Sequence, residues 1–221
     1  MRKFTAAIAL SFIGSIGFSQ DYLPGAPPMQ VFTISKTPEK HTGSPYLEQN
    51  FVNGTINDDK GKTHNAYLRY NAVEDVVEIK IENTAQSEIL VLPKIKSLSY
   101  SLKDYKYILD SFRTDKGEKI EGFLIEYYNG KSFGLYGNPL PNISEAQVAS
   151  TGYQQDKPAH LSVQLDYYIK KGDGTLHNVK LRDKDFKNVL PESKELNEYL
   201  KENKLKTPQD YANMLKWLDN L

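Results

Sequence analysis

The residues that most often carry out chemistry in proteins are sparse in this sequence. The chain contains no cysteine, which excludes thiol nucleophiles and thiolate metal sites. No two of its histidines, which are His41, His64, His160 and His177, have the three- or four-residue spacing that pairs metal ligands on a helix. His160 and His177 lie on two strands of one predicted hairpin and could approach each other, but we interpret them as solvated or capping side chains. The sequence predicts no metal site.

Other catalytic and binding motifs are equally weak. The clusters "NDDKGK" (57–62) and "KKGDGT" (170–175) combine Asp with Gly but lack the alternating ligands and final Glu of a calcium loop, so turn geometry explains them. The chain has no G-x-S-x-G elbow and no phosphate-binding glycine loop. A carboxylate pair such as Glu126 with Asp166 could flank a sugar, but a chain with 28 acidic residues offers many such pairs. We therefore predict no catalytic residue and no cofactor, and we favour a non-catalytic protein over an enzyme.

Tyrosine is the one residue type in excess, with 15 copies. Two pairs of neighbours, Tyr127-Tyr128 and Tyr167-Tyr168, lie in segments that read as strands. Since adjacent side chains in a strand point to opposite faces, one ring of each pair should face the solvent. The surrounding pattern predicts that Tyr128 and Tyr168 face outward and form a possible recognition surface. The simpler interpretation is that tyrosine is a favoured strand residue.

The middle of the chain, residues 51–182, alternates apolar and polar residues with a period of two. The best example is "HLSVQLDYYIKK", and "LIEYYNGKSFGLYG" (124–137) reads as a hairpin closed by a type I′ turn at Asn129-Gly130. Short connections favour neighbouring antiparallel strands, because parallel strands need long crossovers. We predict a mainly β fold, an antiparallel meander that forms a barrel or a sandwich. The charged residues distributed along the strands argue against an outer-membrane barrel, whose lipid-facing band is apolar.

The last segment, residues 183–221, changes to helical spacing. "TPQDYANMLKWLDNL" begins with Thr207 as N-cap, Pro208 at the first helical position and Asp210 at the third. A broad apolar stripe follows. We predict two to three C-terminal helices that pack on the β-domain and cap it.

The first residues have the anatomy of a secretory signal peptide. Arg2 and Lys3 precede an apolar run, and small residues near Ser19 suit a signal peptidase. We predict a signal peptide at 1–19 and a Pro-rich leader at 20–50, in which Val31 to Ile34 could form one short strand. Cleavage would leave a slightly acidic chain without a membrane span, and the interleaved charges show no basic stripe for nucleic acid.

One segment resembles a known group. The Phe-Ser-Gln ending of the signal peptide and "GSPYLEQNFVNGTI…LRYNAVEDVVEI" are similar to an uncharacterised group of exported Bacteroidota (Flavobacteria-like) proteins. The matching residues are Gly43, Ser44, Pro45, Tyr46, Leu47, Gly54, Arg69, Tyr70, Asn71, Asp75 and Glu78. The group has no known activity, so the resemblance implies only a bacterial context. Because the chain ends in predicted helices and not in the β-rich sorting domain of type IX secretion cargo, we expect a periplasmic location, with secretion as the alternative.

These observations predict a periplasmic or envelope protein that binds a partner protein, or a glycan or lipid ligand, without catalysis. Two alternatives remain from other classes. One is an envelope hydrolase acting on glycan or lipid, and the other is a carrier that holds an apolar ligand inside a β-barrel. The sequence does not identify the ligand or the oligomeric state.

Overall fold

The computed structural model describes residues 36–149 and 155–221 of the chain. The predicted signal peptide at 1–19 and the expected short strand at Val31 to Ile34 lie outside the described residues. The described part is mainly β, with a curled half-barrel sheet and three C-terminal helices. The predicted fold class is therefore confirmed. None of these helices is long and apolar enough to cross a membrane.

The sheet is built from the alternating segments that the sequence predicted and from several shorter ones. Eleven strands are described in these residues: β1 (His41–Gly43), β2 (Val52–Asn57), β3 (Thr63–Asn71), β4 (Val76–Lys80), β5 (Leu90–Val91), β6 (Ser99–Ser101), β7 (Lys106–Arg113), β8 (Lys119–Asn129), β9 (Phe133–Ser144), β10 (Ala159–Lys171) and β11 (Leu176–Val179). Their order across the sheet is β1-β10-β9-β8-β7-β6-β2-β3-β4-β5, and β11 pairs with β10.

Short connections produce antiparallel neighbours, for example between β2, β3 and β4 and between β7, β8 and β9, and β9 and β10 also pair antiparallel across a longer connection. Strand β1 differs, because it runs parallel to β10 with His41 opposite Ala159. It lies inside the segment that the sequence analysis assigned to the leader. Its three residues are exposed and carry no alternating pattern, so this long-range pairing left no local signal in the sequence.

The C-terminal segment forms α1 (Asp183–Val189), α2 (Lys194–Glu202) and α3 (Pro208–Leu218). The predicted start of α3 is confirmed as a capping box, in which the Thr207 side chain accepts from Asp210 N and Asp210 bonds back to Thr207 N. These bonds satisfy N–H groups that the first turn of a helix leaves unpaired.

The concave face of the sheet carries two apolar clusters. The first lies on β2–β4 and β6–β8 and centres on Leu68, Tyr70, Tyr107 and Ile125. The second lies between β9–β11 and the helices, where it joins side chains of the sheet to the apolar stripes of the helices: Leu135, Ile169, Val179, Phe186, Leu196, Leu200, Tyr211, Met214 and Leu215. The helices therefore cover one half of the concave face.

The hairpin between β8 and β9 is present, but its turn is not the predicted type I′ turn. Neither Asn129 nor Gly130 has the positive φ that a type I′ turn needs. Asn129 still belongs to β8, and Gly130 N donates to Phe133 O at 2.8 Å. The end of α3 sets the turn, since Ser132 N donates to Asp219 Oδ1 at 3.0 Å. A Cβ added at position 130 would lie 1.9 Å from Asp219 Oδ2, so a larger residue there would displace the Asp219 side chain.

Candidate functional site

The predicted outward position of Tyr128 is wrong because β8 contains a bulge. Glu126 pairs with Tyr136 of β9, whereas Tyr128 pairs with Leu135, so one extra residue on β8 breaks the alternation there. Tyr128 therefore turns to the concave face, where it packs against the helix-covered cluster. Its hydroxyl donates to Asp219 Oδ2 at 2.9 Å. Burial and this carboxylate raise the pKa of Tyr128.

The predicted exposure of Tyr168 is also wrong, for a different reason. Tyr168 does lie on the face of β10 opposite the concave core, but that face is covered as well. The ring is 7% exposed and packs with Leu124, Tyr136 and Leu176 in a third cluster. The end of the β7–β8 hairpin folds over this face, where Thr114 bridges to Leu176. Tyr128 and Tyr168 thus do not form an exposed platform.

The predicted proximity of His160 and His177 does not produce a shared site. His160 Nδ1 lies 3.0 Å from Thr42 Oγ1, and His177 Nδ1 lies 3.2 Å from Asp115 Oδ2. Among the residues that the structure describes, no group of three or more His, Asp or Glu side chains could hold a metal ion.

A different surface has the composition of a recognition site, and it lies on the convex side of β3, β4 and β5. Cross-strand register aligns Arg69 with Glu78 and Glu78 with Val91. Two register pairs away, and therefore on the same face, Tyr67 is opposite Lys80. Tyr46 and Phe51 lie over this row from the segment before β2. We call this surface the outer face and define it by Tyr46, Phe51, Tyr67, Arg69, Glu78, Lys80, Ile89 and Val91.

The centre of the outer face is a stack of cations and aromatic rings. The Arg69 guanidinium lies 3.5 Å from the Tyr46 ring centroid and 4.4 Å from that of Phe51. Lys80 Nζ, on the same face, lies 5.0 Å from the Phe51 centroid. Each such contact contributes about 0.5–1 kcal/mol at an exposed site and more where water is excluded. The stack therefore fixes the rings in one arrangement.

A carboxylate fixes the arginine from the sheet side. Arg69 Nη2 donates to Glu78 Oε2 at 2.6 Å, and Asn71 Nδ2 donates to Glu78 Oε1 at 3.3 Å. The side chains of Arg69 and Glu78 are only 15% and 11% exposed. Burial, followed by Glu78, raises the pKa of Tyr46, while Arg69 opposes the shift. The pair is held rigidly, which limits the side-chain entropy that a binding partner would have to remove.

The rim of the outer face exposes aliphatic side chains. Val91 in the edge strand β5 is 36% exposed, and Ile89, the residue before this strand, is 48% exposed. Single exposed aliphatic side chains are common, but Val91 is the register partner of Glu78, which binds Arg69 of the stack.

Sequence reasoning missed this surface because its members are spread over 45 positions between Tyr46 and Val91. One local signal was present. In the hairpin "LRYNAVEDVVEI", Arg69 and Glu78 are equidistant from the turn, so an antiparallel register places the opposite charges side by side. No protein-family model matches this chain, and comparison with curated proteins and with solved structures gave no significant match.

Proposed function

We propose that the protein is an exported, non-catalytic envelope protein that binds a partner protein through the outer face. The observation that carries the proposal is the rigid stack of Tyr46, Arg69 and Phe51 beside the exposed side chains of Ile89 and Val91. Interface centres are enriched in Tyr, Phe and Arg, and a few such residues provide most of the binding energy.

The concave side supports a binding role over a carrier role. A carried apolar ligand would lie where the rings of Tyr70, Tyr100, Tyr107 and Phe123 are in contact. The centroids of Tyr70 and Tyr107 are 5.0 Å apart, and those of Tyr100 and Phe123 are 5.8 Å apart. These side chains fill the inside of the half-barrel, so we place recognition on the convex side.

The experiment compares two double variants with the same chemical change. Ile89→Ser with Val91→Ser removes the aliphatic rim of the outer face. Leu140→Ser with Ile143→Ser is the matched control on β9, where the two side chains are 38% and 43% exposed. Both variants should keep the wild-type melting temperature, since exposed substitutions change stability by about 0.5 kcal/mol or less.

A partner is first cross-linked to the wild-type protein in envelope material from its own cells, and it is then purified for affinity measurement. We expect the outer-face variant to bind that partner at least about tenfold more weakly, which corresponds to about 1.4 kcal/mol. The control variant should bind as the wild type does. Equal affinity for both variants, or a loss confined to the β9 variant, would refute the assignment of the outer face. If the outer face binds a glycan and no protein, the proposed protein partner is wrong and the outer face is a glycan-binding site.

Export is tested separately by intact-mass measurement. The basic start, the apolar run and the small residues before Gln20 support cleavage after Ser19. The mass of envelope-derived protein should therefore lack residues 1–19. A protein that retains Met1 in the membrane fraction would contradict this part of the proposal.

A further inference from the structure

Residues 36–48 form an extended segment, which we call the arm, and it is fastened to elements far along the chain. At its beginning, Glu74 Oε1 accepts hydrogen bonds from Lys36 N at 2.6 Å and from Thr37 N at 2.9 Å. Further on, β1 pairs with β10, and Ser44 N donates to Leu161 O at 2.9 Å. The arm is thus hydrogen-bonded first to the β3–β4 turn and then to the edge of β10.

The arm then crosses to a second strand of the same curled sheet. Ala72 N donates to Pro45 O at 2.8 Å, and Leu47 N donates to Tyr70 O at 3.1 Å. Strands β10 and β3 are separated by five other strands in the sheet order. The arm therefore bridges the opening of the half-barrel and pairs with a strand on each side of it.

The end of the arm supplies an acceptor that the rest of the protein needs. Glu48 Oε2 accepts from Tyr70 N at 3.0 Å, and Glu48 Oε1 accepts from the hydroxyls of Tyr105 and Tyr107. Tyr107 is 0% exposed, so its hydroxyl requires a protein acceptor in place of water. The concave face is thus incomplete without an arm.

The connection between the arm and the sheet is short and exposed. Only residues 49–51 separate Glu48 from β2, and Gln49 and Asn50 are exposed. By contrast, Thr42 and His160, which face each other across β1 and β10, are 118 residues apart in the chain. Docking the arm in its own chain therefore closes a long loop, and such non-local contacts form late in folding. Until then, the edge of β10 that pairs with the arm stays open.

We propose that two copies of this chain exchange arms, so that the arm of one copy bridges β10 and β3 of the other. An arm from a second copy offers the same backbone groups, the same Glu48 carboxylate and the same Tyr46 ring. Among the described residues, exchange requires a new backbone path only through residues 49–51, of which Gln49 and Asn50 are exposed. Swapping an identical element is a low-cost route to a dimer because each contact of the monomer is reproduced between the copies.

The absence of native cysteine allows a direct test. Chains with Thr42→Cys and chains with His160→Cys are unfolded, mixed in equal amounts, refolded together and oxidised. The two positions are register partners, with side-chain atoms 3.0 Å apart, so a disulfide between them fits the geometry of adjacent strands. The matched control replaces His160→Cys with Gln164→Cys, which is exposed on the same side of β10.

Exchange predicts a covalent dimer that joins positions 42 and 160 in the first mixture. Its amount on a non-reducing gel should rise with protein concentration during refolding and exceed that of the control mixture several-fold. Equal amounts of dimer in both mixtures, or no dimer at any concentration, would overturn the proposal. A single chain with both Thr42→Cys and His160→Cys should form an internal disulfide on dilute refolding. If it does not, the placement of the arm, and with it the proposed exchange, is wrong.

Discussion

The two halves of the concave face are covered in different ways. Over β9–β11, three helices bury a continuous apolar surface, with Phe186, Met214 and Leu215 at 0% exposure. Over β3 and the beginning of β10, the cover is the arm, which is held by backbone pairing and by the Glu48 carboxylate among tyrosine hydroxyls. Apolar burial acts over the whole helix surface, whereas the arm depends on a few directional bonds. The helix-covered half should therefore be the stable part, and the arm-covered half the part that opens first.

The largest effect is expected in the helix-covered half. Phe186 stacks on Tyr211 with centroids 4.2 Å apart and is fully buried. Phe186→Ala leaves a cavity and should lower the free energy of unfolding by about 3–5 kcal/mol, as measured by chemical denaturation. Phe186→Leu is the control and should lose much less. A negligible loss with Phe186→Ala would show that the helices contribute little to stability and would reverse the comparison.

Alkaline pH should weaken the arm-covered half through its buried tyrosines. Burial raises the pKa of Tyr100 from 10.0 to about 12. Because the pKa is higher in the folded state, the neutral ring stabilises the fold fully below about pH 10, and this contribution is lost as the pH rises through 12. Its full size is about 2–3 kcal/mol. Unfolding measured between pH 9 and 12 should show a shallower decline in Tyr100→Phe than in the wild type, and parallel curves would contradict this.

A smaller loss is expected from removing the acceptor that the arm provides. Glu48→Ala leaves the hydroxyl of the buried Tyr107 without its carboxylate partner, and an unsatisfied buried group of this kind costs about 1–3 kcal/mol. Glu48→Gln keeps one acceptor oxygen for the tyrosines and should lose less. Hydrogen exchange at residues 41–47 should increase in Glu48→Ala, while exchange in α3 should not. Uniform acceleration in both regions would show that the arm does not open on its own.

The same contrast explains what the sequence could reveal. The helices, the start of α3 at Thr207 and the long strands were predicted because each one repeats a local period that burial imposes. Strand β1 was missed because it depends on pairs such as Thr42 with His160, which no local pattern encodes. The outer face was missed because Tyr46 and Phe51 reach Arg69 from outside its hairpin. Bulges are a third case, since one extra residue at Glu126–Tyr128 reverses the facing of every later side chain in the strand.

The smallest effect concerns Tyr128, where the bulge decides between two outcomes. The phenol packs in the helix-covered cluster, and its hydroxyl donates to Asp219, which also accepts from Ser132 N. Tyr128→Phe keeps the ring and removes one hydrogen bond, so it should lower the free energy of unfolding by about 0.5–1.5 kcal/mol. Tyr128→Ser also removes the ring and should lose clearly more. A solvent-facing ring, as simple alternation predicts, would make both changes neutral within about 0.5 kcal/mol. Denaturation of the two variants therefore tests whether the bulge directs the Tyr128 side chain to the concave face, where the helices cover it.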